Sequence, residues 1–161
     1  MARAARTIVN NACYHVINRG NHKERIFRHD DDFKVYINLI KRYKRKYGFL
    51  LYAYCLMPNH VHLVIKPSQS KLISKIMQGI TLSYTLWFNY KYKIVGRLWQ
   101  SRYKSMIIQQ DQYFSDCLYY VEANPVRAKL TNTPIDYEWS SYKERYLNDS
   151  NKIIDSLRGQ V

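Results

Sequence analysis

Between positions 33 and 110 the sequence has no Asp and no Glu. That absence excludes a charge-balanced surface over half the chain. The same stretch carries Lys34, Lys41, Arg42, Lys44, Arg45, Lys46, Lys66, Lys71, Lys75, Lys91, Lys93, Arg97, Arg102 and Lys104. The flanks are neutral, so the whole net charge of +14 lies in this middle. A field of one sign costs self-repulsion, and a polyanionic partner is the usual compensation; a solubility device is the plainer alternative. Cysteine is scarce: Cys13, Cys55 and Cys117 are odd in number and widely spaced. They match neither a zinc spacing nor a disulfide framework, which predicts reduced thiols in a cytoplasmic protein. No apolar run approaches the ~18 residues of a membrane span, so no membrane is expected. Residues 1–11 lack the apolar core of a secretory signal. No repeat or low-complexity linker is present. The chain of 161 residues therefore predicts one domain, with 130–161 as a C-terminal extension. What is present is a hydrophobic fraction of 47%, enough to exclude wholesale disorder.

Residues 13–18 are rich in β-formers and end at the turn signal Arg19-Gly20-Asn21, predicting a first strand. Asp30, Asp31 and Asp32 suit a helix N-terminus. Phe33, Tyr36, Ile37, Ile40, Tyr43 and Tyr47 follow at helical spacing, and Gly48 stops that helix. Residues 49–57 and 60–66, split by Pro58-Asn59, predict a β-hairpin. Ser70 is positioned to cap a long second helix reaching about Tyr90. A connector over 96–101 leads to a fourth strand over 102–109. Asp111 can cap a third helix, which Pro125 ends near Asn124. The order β-α-β-β-α-β plus a helix predicts an α+β, ferredoxin-like fold with one four-stranded antiparallel sheet. The tail from Leu130 is expected to pack as an extension and to fray near Asn148.

His60-Val61-His62 falls early in the third strand. Side chains alternate there, so both imidazoles share one face, ~7 Å apart, and can share a metal ion. By itself the pattern is more often two ordinary polar residues. In the third helix Tyr120 and Asn124 stand at i and i+4 and share a face. A phenol there would sit beside an amide ligand, whereas Tyr119 pairs only with Ala123. Without further support this too reads as one tyrosine among 16 and a helix end before proline.

The surrounding residues add a resemblance. Met57-Pro58-Asn59-His60-Val61-His62-Leu63 resembles the His-hydrophobic-His motif of single-tyrosine, HUH-type transposases. Tyr120-Val121-Glu122-Ala123-Asn124-Pro125-Val126-Arg127-Ala128 resembles the Tyr-hydrophobic-x-x-Asn-Pro-Val segment of their REP-associated branch. Tyr14 to Asn21, Leu98 to Tyr103 and Trp139-Ser140-Ser141-Tyr142 agree, all in family order over about residues 12–145. The chain is thus similar to REP-associated tyrosine transposases of the IS200-like family. The resemblance implies a ferredoxin-like fold and nicking and strand transfer of single-stranded DNA at hairpins through a 5′-phosphotyrosine. It implies Tyr120 as nucleophile and His60, His62 and Asn124 as ligands of Mg²⁺ or Mn²⁺. Some relatives work as dimers, sometimes with the tyrosine helix donated in trans, so a homodimer is open.

Single-strand binding needs cations and stacking faces. The acid-free stretch offers Lys41, Arg42, Lys44, Arg45, Lys46, Lys91, Lys93, Arg97, Arg102 and Lys104 for the backbone. Arg3 and Arg6 offer a basic N-terminal arm. His15 reads as a core or DNA-facing histidine, and Gln100 as structural or DNA-touching. The rival function is a non-catalytic single-stranded DNA or RNA module on the same topology. It accounts for the charge but not for the His60/His62 and Tyr120/Asn124 pairs. A domesticated nicking enzyme is a third reading.

Overall fold

The computed structural model describes residues 5–109, 112–147 and 152–157. Strand β1 spans Cys13–Arg19, helix α1 Asp30–Tyr47, β2 Leu50–Met57, β3 His60–Lys66, α2 Ile73–Tyr92 and β4 Lys104–Ile108. Helix α3 spans Gln112–Glu122, α4 Asn124–Arg127 and α5 Tyr142–Tyr146. The strands form one antiparallel sheet in the order β2-β3-β1-β4, the ferredoxin-like arrangement that the periodicity predicted.

The two faces of the sheet do different work. Tyr14, Val16, Val61, Leu63 and Ile65 point toward α1 and α2 and join Tyr36, Ile40, Ile76, Ile80 and Tyr84 in the larger core. The alternate residues Cys13, Ala53, Cys55 and Val64 point the other way and pack on Phe114, Leu118 and Val121 of α3. His15 and His62 belong to this second face, by the same alternation.

Local chemistry explains most element ends. Gly48 adopts a left-handed conformation (φ 64°), and its N–H reaches the Lys44 carbonyl to close α1. At the other end Asp32 is fully buried. Its Oδ2 accepts from the backbone N–H groups of Arg28 and His29 at 2.7 and 3.0 Å and from the Tyr92 hydroxyl at 2.6 Å. Lys91 Nζ lies 2.6 Å from Oδ1, so the carboxylate ties the start of α1 to the end of α2. Burial pushes the Asp32 pKa up, but the bonds from Lys91, Tyr92, Arg28 and His29 outweigh it and hold the group below its usual value.

Several predicted boundaries need correction. Ser70 does not cap α2; its hydroxyl donates to the Val9 carbonyl at 2.6 Å, and a 3₁₀ turn over Ser70–Leu72 leads into the helix. Strand β4 starts at Lys104, because Tyr103 turns inward toward Ser74 (3.1 Å). Helix α3 ends at Glu122, before Asn124, and Pro125 lies in the first turn of α4 instead of ending α3. In a first turn its missing N–H costs nothing. Asp111 and Asn148 lie outside the described residues. In the described segment 152–157, Ile153 and Ile154 are buried in the larger core. The extension seals the outer edge of β2. Leu56 N–H donates to the Trp139 carbonyl (2.8 Å), Tyr54 N–H to Ser141 Oγ (3.0 Å) and Leu51 N–H to Asp155 Oδ2 (2.8 Å).

Gly20 sits where β1 meets the Pro58–Asn59 turn, and its N–H donates to the Asn59 carbonyl at 2.9 Å. A Cβ there would stand 2.5 Å from the Glu24 carbonyl oxygen and 2.8 Å from an Ile26 methyl carbon. Gly20→Ala is therefore expected to destabilise by about 1–3 kcal/mol, the range of overpacking. A urea midpoint unchanged from the wild type would show that the turn yields freely.

Candidate active site

Three imidazoles meet on the α3 face. In the β1–β3 register Ile17 faces His62 and Arg19 faces His60, so His15 is diagonal to His62. His15 Nε2 lies 2.9 Å from His62 Nδ1, with the rings stacked at 5.2 Å. The His60 and His62 ring centres are 4.9 Å apart. Asn59 Oδ1 accepts from His60 Nδ1 at 2.6 Å, while its own amide donates to the Lys23 carbonyl. This bond leaves His60 Nε2 with a free lone pair. If His62 Nδ1 likewise donates to His15, both imidazoles present Nε2 to the same space. Partners of this kind orient metal-binding histidines.

Helix α3 and the turn after it close the site. Asn124 places its side-chain amide 2.5 Å from His62 Nε2. Tyr120 is 49% exposed, and its ring meets His62 edge-on at 6.3 Å and His15 at 6.1 Å. The break at Ala123 has not moved Asn124 off the Tyr120 side. Thus the two pairs that spacing placed on shared faces, His60 with His62 and Tyr120 with Asn124, lie together, as the family resemblance implied. Between α3 and β4, beside His15, an open cleft of about 330 Å³ is lined by Met106, Ile108, Tyr113 and Cys117.

Burial favours the neutral form of all three imidazoles. Burial lowers the pKa of His15 to about 4. Burial and the Arg19 charge lower His60 to about 4. Burial, then His60, His15, Arg127 and Arg19, lower His62 to about 2. The folded state therefore binds fewer protons than the unfolded chain below the ordinary value of 6.5. Its stability is full above that pH and is lost as pH falls toward about 4. The urea midpoint should accordingly drop between about pH 7 and pH 5, with no site imidazole titrating above about pH 5 by proton NMR. A titration of His62 near its ordinary value would contradict the cluster.

A divalent ion fits this donor set. No group of three His, Cys, Asp or Glu side chains among the described residues could hold a metal. The set here is two imidazoles and an amide, whose oxygen turns toward the ion by a simple flip. All three donors are neutral.

The predicted DNA-contacting cations divide. Lys41, Arg42, Lys44, Arg45 and Lys46 lie on α1, and Lys91 and Lys93 at the end of α2. Both helices lie on the sheet face opposite the histidines. Lys44 is paired with Asp155 at 2.7 Å and Lys91 with Asp32, so neither is a free cation. Arg6 is no free arm; its guanidinium stacks 3.8 Å over Tyr103 and donates to the Tyr103 carbonyl. Arg3 lies outside the described residues. Arg97, Arg102 and Lys104 are exposed, and Lys104 pairs with Ile17 on the histidine face. Gln100 N–H donates to the Arg19 carbonyl at 2.9 Å, which holds this loop beside the site.

Three residues at the site were not assigned to it from sequence. His15 alternates in phase with Ile17 and Arg19, which would have placed it on the histidine face once the register was known. Arg19 ends that same alternation. Arg127 follows Tyr120 by seven residues, two turns on a helix, and its guanidinium lies 3.9 Å over the Tyr120 ring.

Residues 8–124 match the family model described as "Transposase IS200 like". No curated protein matches. The fold is similar to that of a REP-associated tyrosine transposase bound to a REP hairpin, with a TM-score of 0.74 and 16% identity. That match covers 89% of this chain and 84% of the other. A candidate transposase of Deinococcus radiodurans R1 is similar with a TM-score of 0.51 and 16% identity, over 76% of this chain and 96% of the other.

Proposed function

The chain belongs to the IS200-like transposase family, and on that premise we propose that it nicks single-stranded DNA beside hairpins and transfers the cut strand through Tyr120. The contact of Asn124 with His62 carries this reading, because it ties the chain just after the tyrosine helix to the histidine pair. Tyr120 Oη attacks the scissile phosphorus and the P–O3′ bond breaks. The phenol gives up its proton, the departing oxygen leaves as a 3′-hydroxyl, and a 5′-phosphotyrosine remains. Attack by another 3′-hydroxyl reverses the exchange and frees the phenol, so the bond energy is conserved and no ATP is needed. Mg²⁺ or Mn²⁺ held by His60 Nε2, His62 Nε2 and the Asn124 amide oxygen would polarise the non-bridging oxygens. His15 and Asn59 keep the two imidazoles oriented. Two imidazoles suit Mn²⁺ better than Mg²⁺. The exposed Arg97, Arg102 and Lys104 would follow the strand backbone.

The test is a single-turnover incubation with hairpin oligonucleotides from the encoding genome. With Mn²⁺ or Mg²⁺ a covalent adduct that survives denaturation is expected, and chelation should abolish it. His60→Ala should lose cleavage and keep most of the salt-sensitive binding. Tight, metal-independent binding with no cleavage of any hairpin would favour a binding module instead.

A further inference from the structure

The charges around the histidines pose a question the proposed ligand set does not answer. Arg19 stands directly opposite His60 across the β1–β3 pair, on the same face. Cβ atoms of such pairs are about 5 Å apart. Arg127 stacks on the Tyr120 ring and spends one donor, at 2.5 Å, on the Tyr120 carbonyl. A guanidinium has about five donors in a planar fork, so most of its edge stays open. The Arg19 side chain makes no hydrogen bond among the described residues, and both arginines are exposed. Neither has a carboxylate partner there, whereas Lys44, Lys91 and Arg145 each have one.

Their charge reaches the site. Arg19 helps to lower both His60 and His62, and Arg127 helps to lower His62. Two fixed cations beside a divalent site repel the ion that site is to hold, and neither is ion-paired to a carboxylate among the described residues. The arrangement becomes favourable once an anion can touch ion and guanidiniums together. A phosphodiester has one negative charge and two non-bridging oxygens. Arginine forks match that geometry better than ammonium groups do.

Resting on the phosphodiester-cleavage reading above, the geometry points to Arg19 and Arg127 as a clamp that binds the scissile phosphate from two sides of the histidine pair. Arg127 would hold the phosphate and the Tyr120 ring at once, which fixes the attacking oxygen relative to phosphorus. Arg19 would hold it from the His60 side. In the transition state, where charge on the equatorial oxygens is redistributed, preorganised donors of this kind are most effective.

The clamp makes metal and phosphodiester binding cooperative, and this is measurable without turnover. The probe is the dinucleoside monophosphate TpT, with its uncharged methylphosphonate analogue as control. Free Mn²⁺ is read by electron paramagnetic resonance. In the wild type TpT should tighten Mn²⁺ binding about tenfold, and the analogue should leave it unchanged. Arg19→Met and Arg127→Met should bind Mn²⁺ alone about two- to fivefold tighter, because a repelling charge is gone. In both, the TpT effect should fall to about twofold or less. A merely structural arginine would weaken Mn²⁺ binding when removed, the opposite sign.

Wild-type affinity indifferent to TpT, or coupling undiminished in both variants, overturns the clamp and leaves the metal site standing. If the wild type binds no Mn²⁺ at all, the metal assignment falls. The clamp is then decided by the arginine Nε–H resonances of the wild type. Shifts of Arg19 and Arg127 with TpT but not with the methylphosphonate support it, and equal or absent shifts overturn it.

Discussion

Tyr120→Phe is expected to lower covalent adduct formation by at least ~10⁴-fold, since loss of a nucleophile leaves only what binding and electrostatics supply. Folding should hardly change. The ring is half-exposed and its hydroxyl has no hydrogen-bond partner among the described residues, so phenylalanine keeps the contacts with His15, His62 and Arg127. A surface change of this kind stays within about 0.5 kcal/mol. Affinity for uncleaved hairpin DNA should therefore stay within about threefold of the wild type. Tyr119→Phe is the matched control. It removes the same atom one residue away, from a side chain 61% exposed. An adduct of undiminished yield in Tyr120→Phe would remove Tyr120 from the role, and loss of adduct in Tyr119→Phe would transfer it.

The opposition of the two sheet faces changes what the net charge of +14 means. From sequence, ten cations of residues 33–110, Lys41 to Lys46 and Lys91 to Lys104 among them, are offered to a DNA backbone. The fold divides them, because α1 and α2 cover the face away from the histidines. Long-range ion pairs then neutralise Lys44 and Lys91 through Asp155 and Asp32. A count along the chain cannot anticipate pairs whose partners are far apart in sequence. The local features were legible. Helical spacing from Phe33 to Tyr47 gave α1, and the i, i+4 relation of Tyr120 to Asn124 brought both to one side. Alternation gave His60 and His62 a common face. What alternation cannot supply is which strand lies beside which. The β1–β3 pairing adds His15 and Arg19 to that face and turns a two-histidine motif into a site with its own orienting partner and flanking charge. Cations at the back of the sheet and cations at the site also predict different salt effects. The former add to binding at any position along a strand, while Arg19 and Arg127 act only where a phosphate reaches the histidines.

What fixes Tyr120 over those histidines is the buried end of its own helix. Glu122 is 1% exposed. It accepts from Arg145 Nη2 at 2.8 Å and Nε at 3.0 Å and from Ser141 Oγ at 2.6 Å. Arg145 also donates to the Tyr52 carbonyl on the edge strand. The C-terminal extension thus clips α3 to the sheet two residues from the tyrosine. Arg145→Met removes one half of this pair and leaves a buried, uncompensated carboxylate, which costs about 3–5 kcal/mol. Against the roughly 5–15 kcal/mol that holds a domain folded, that is a large share. The double variant Glu122→Gln, Arg145→Met removes both charges and should recover much of the loss. Partial recovery would assign the cost to the stranded charge, and none would assign it to lost packing. In the single variant, at a temperature where it is fully folded, adduct yield should fall more than Mn²⁺ affinity does. Two of the three proposed donors, His60 and His62, are held by β3 and keep most of that affinity, whereas Tyr120 and the third donor, Asn124, both flank Glu122. A urea-derived loss below about 1 kcal/mol, the scale of an exposed pair, would mean the carboxylate finds water and the clip carries little.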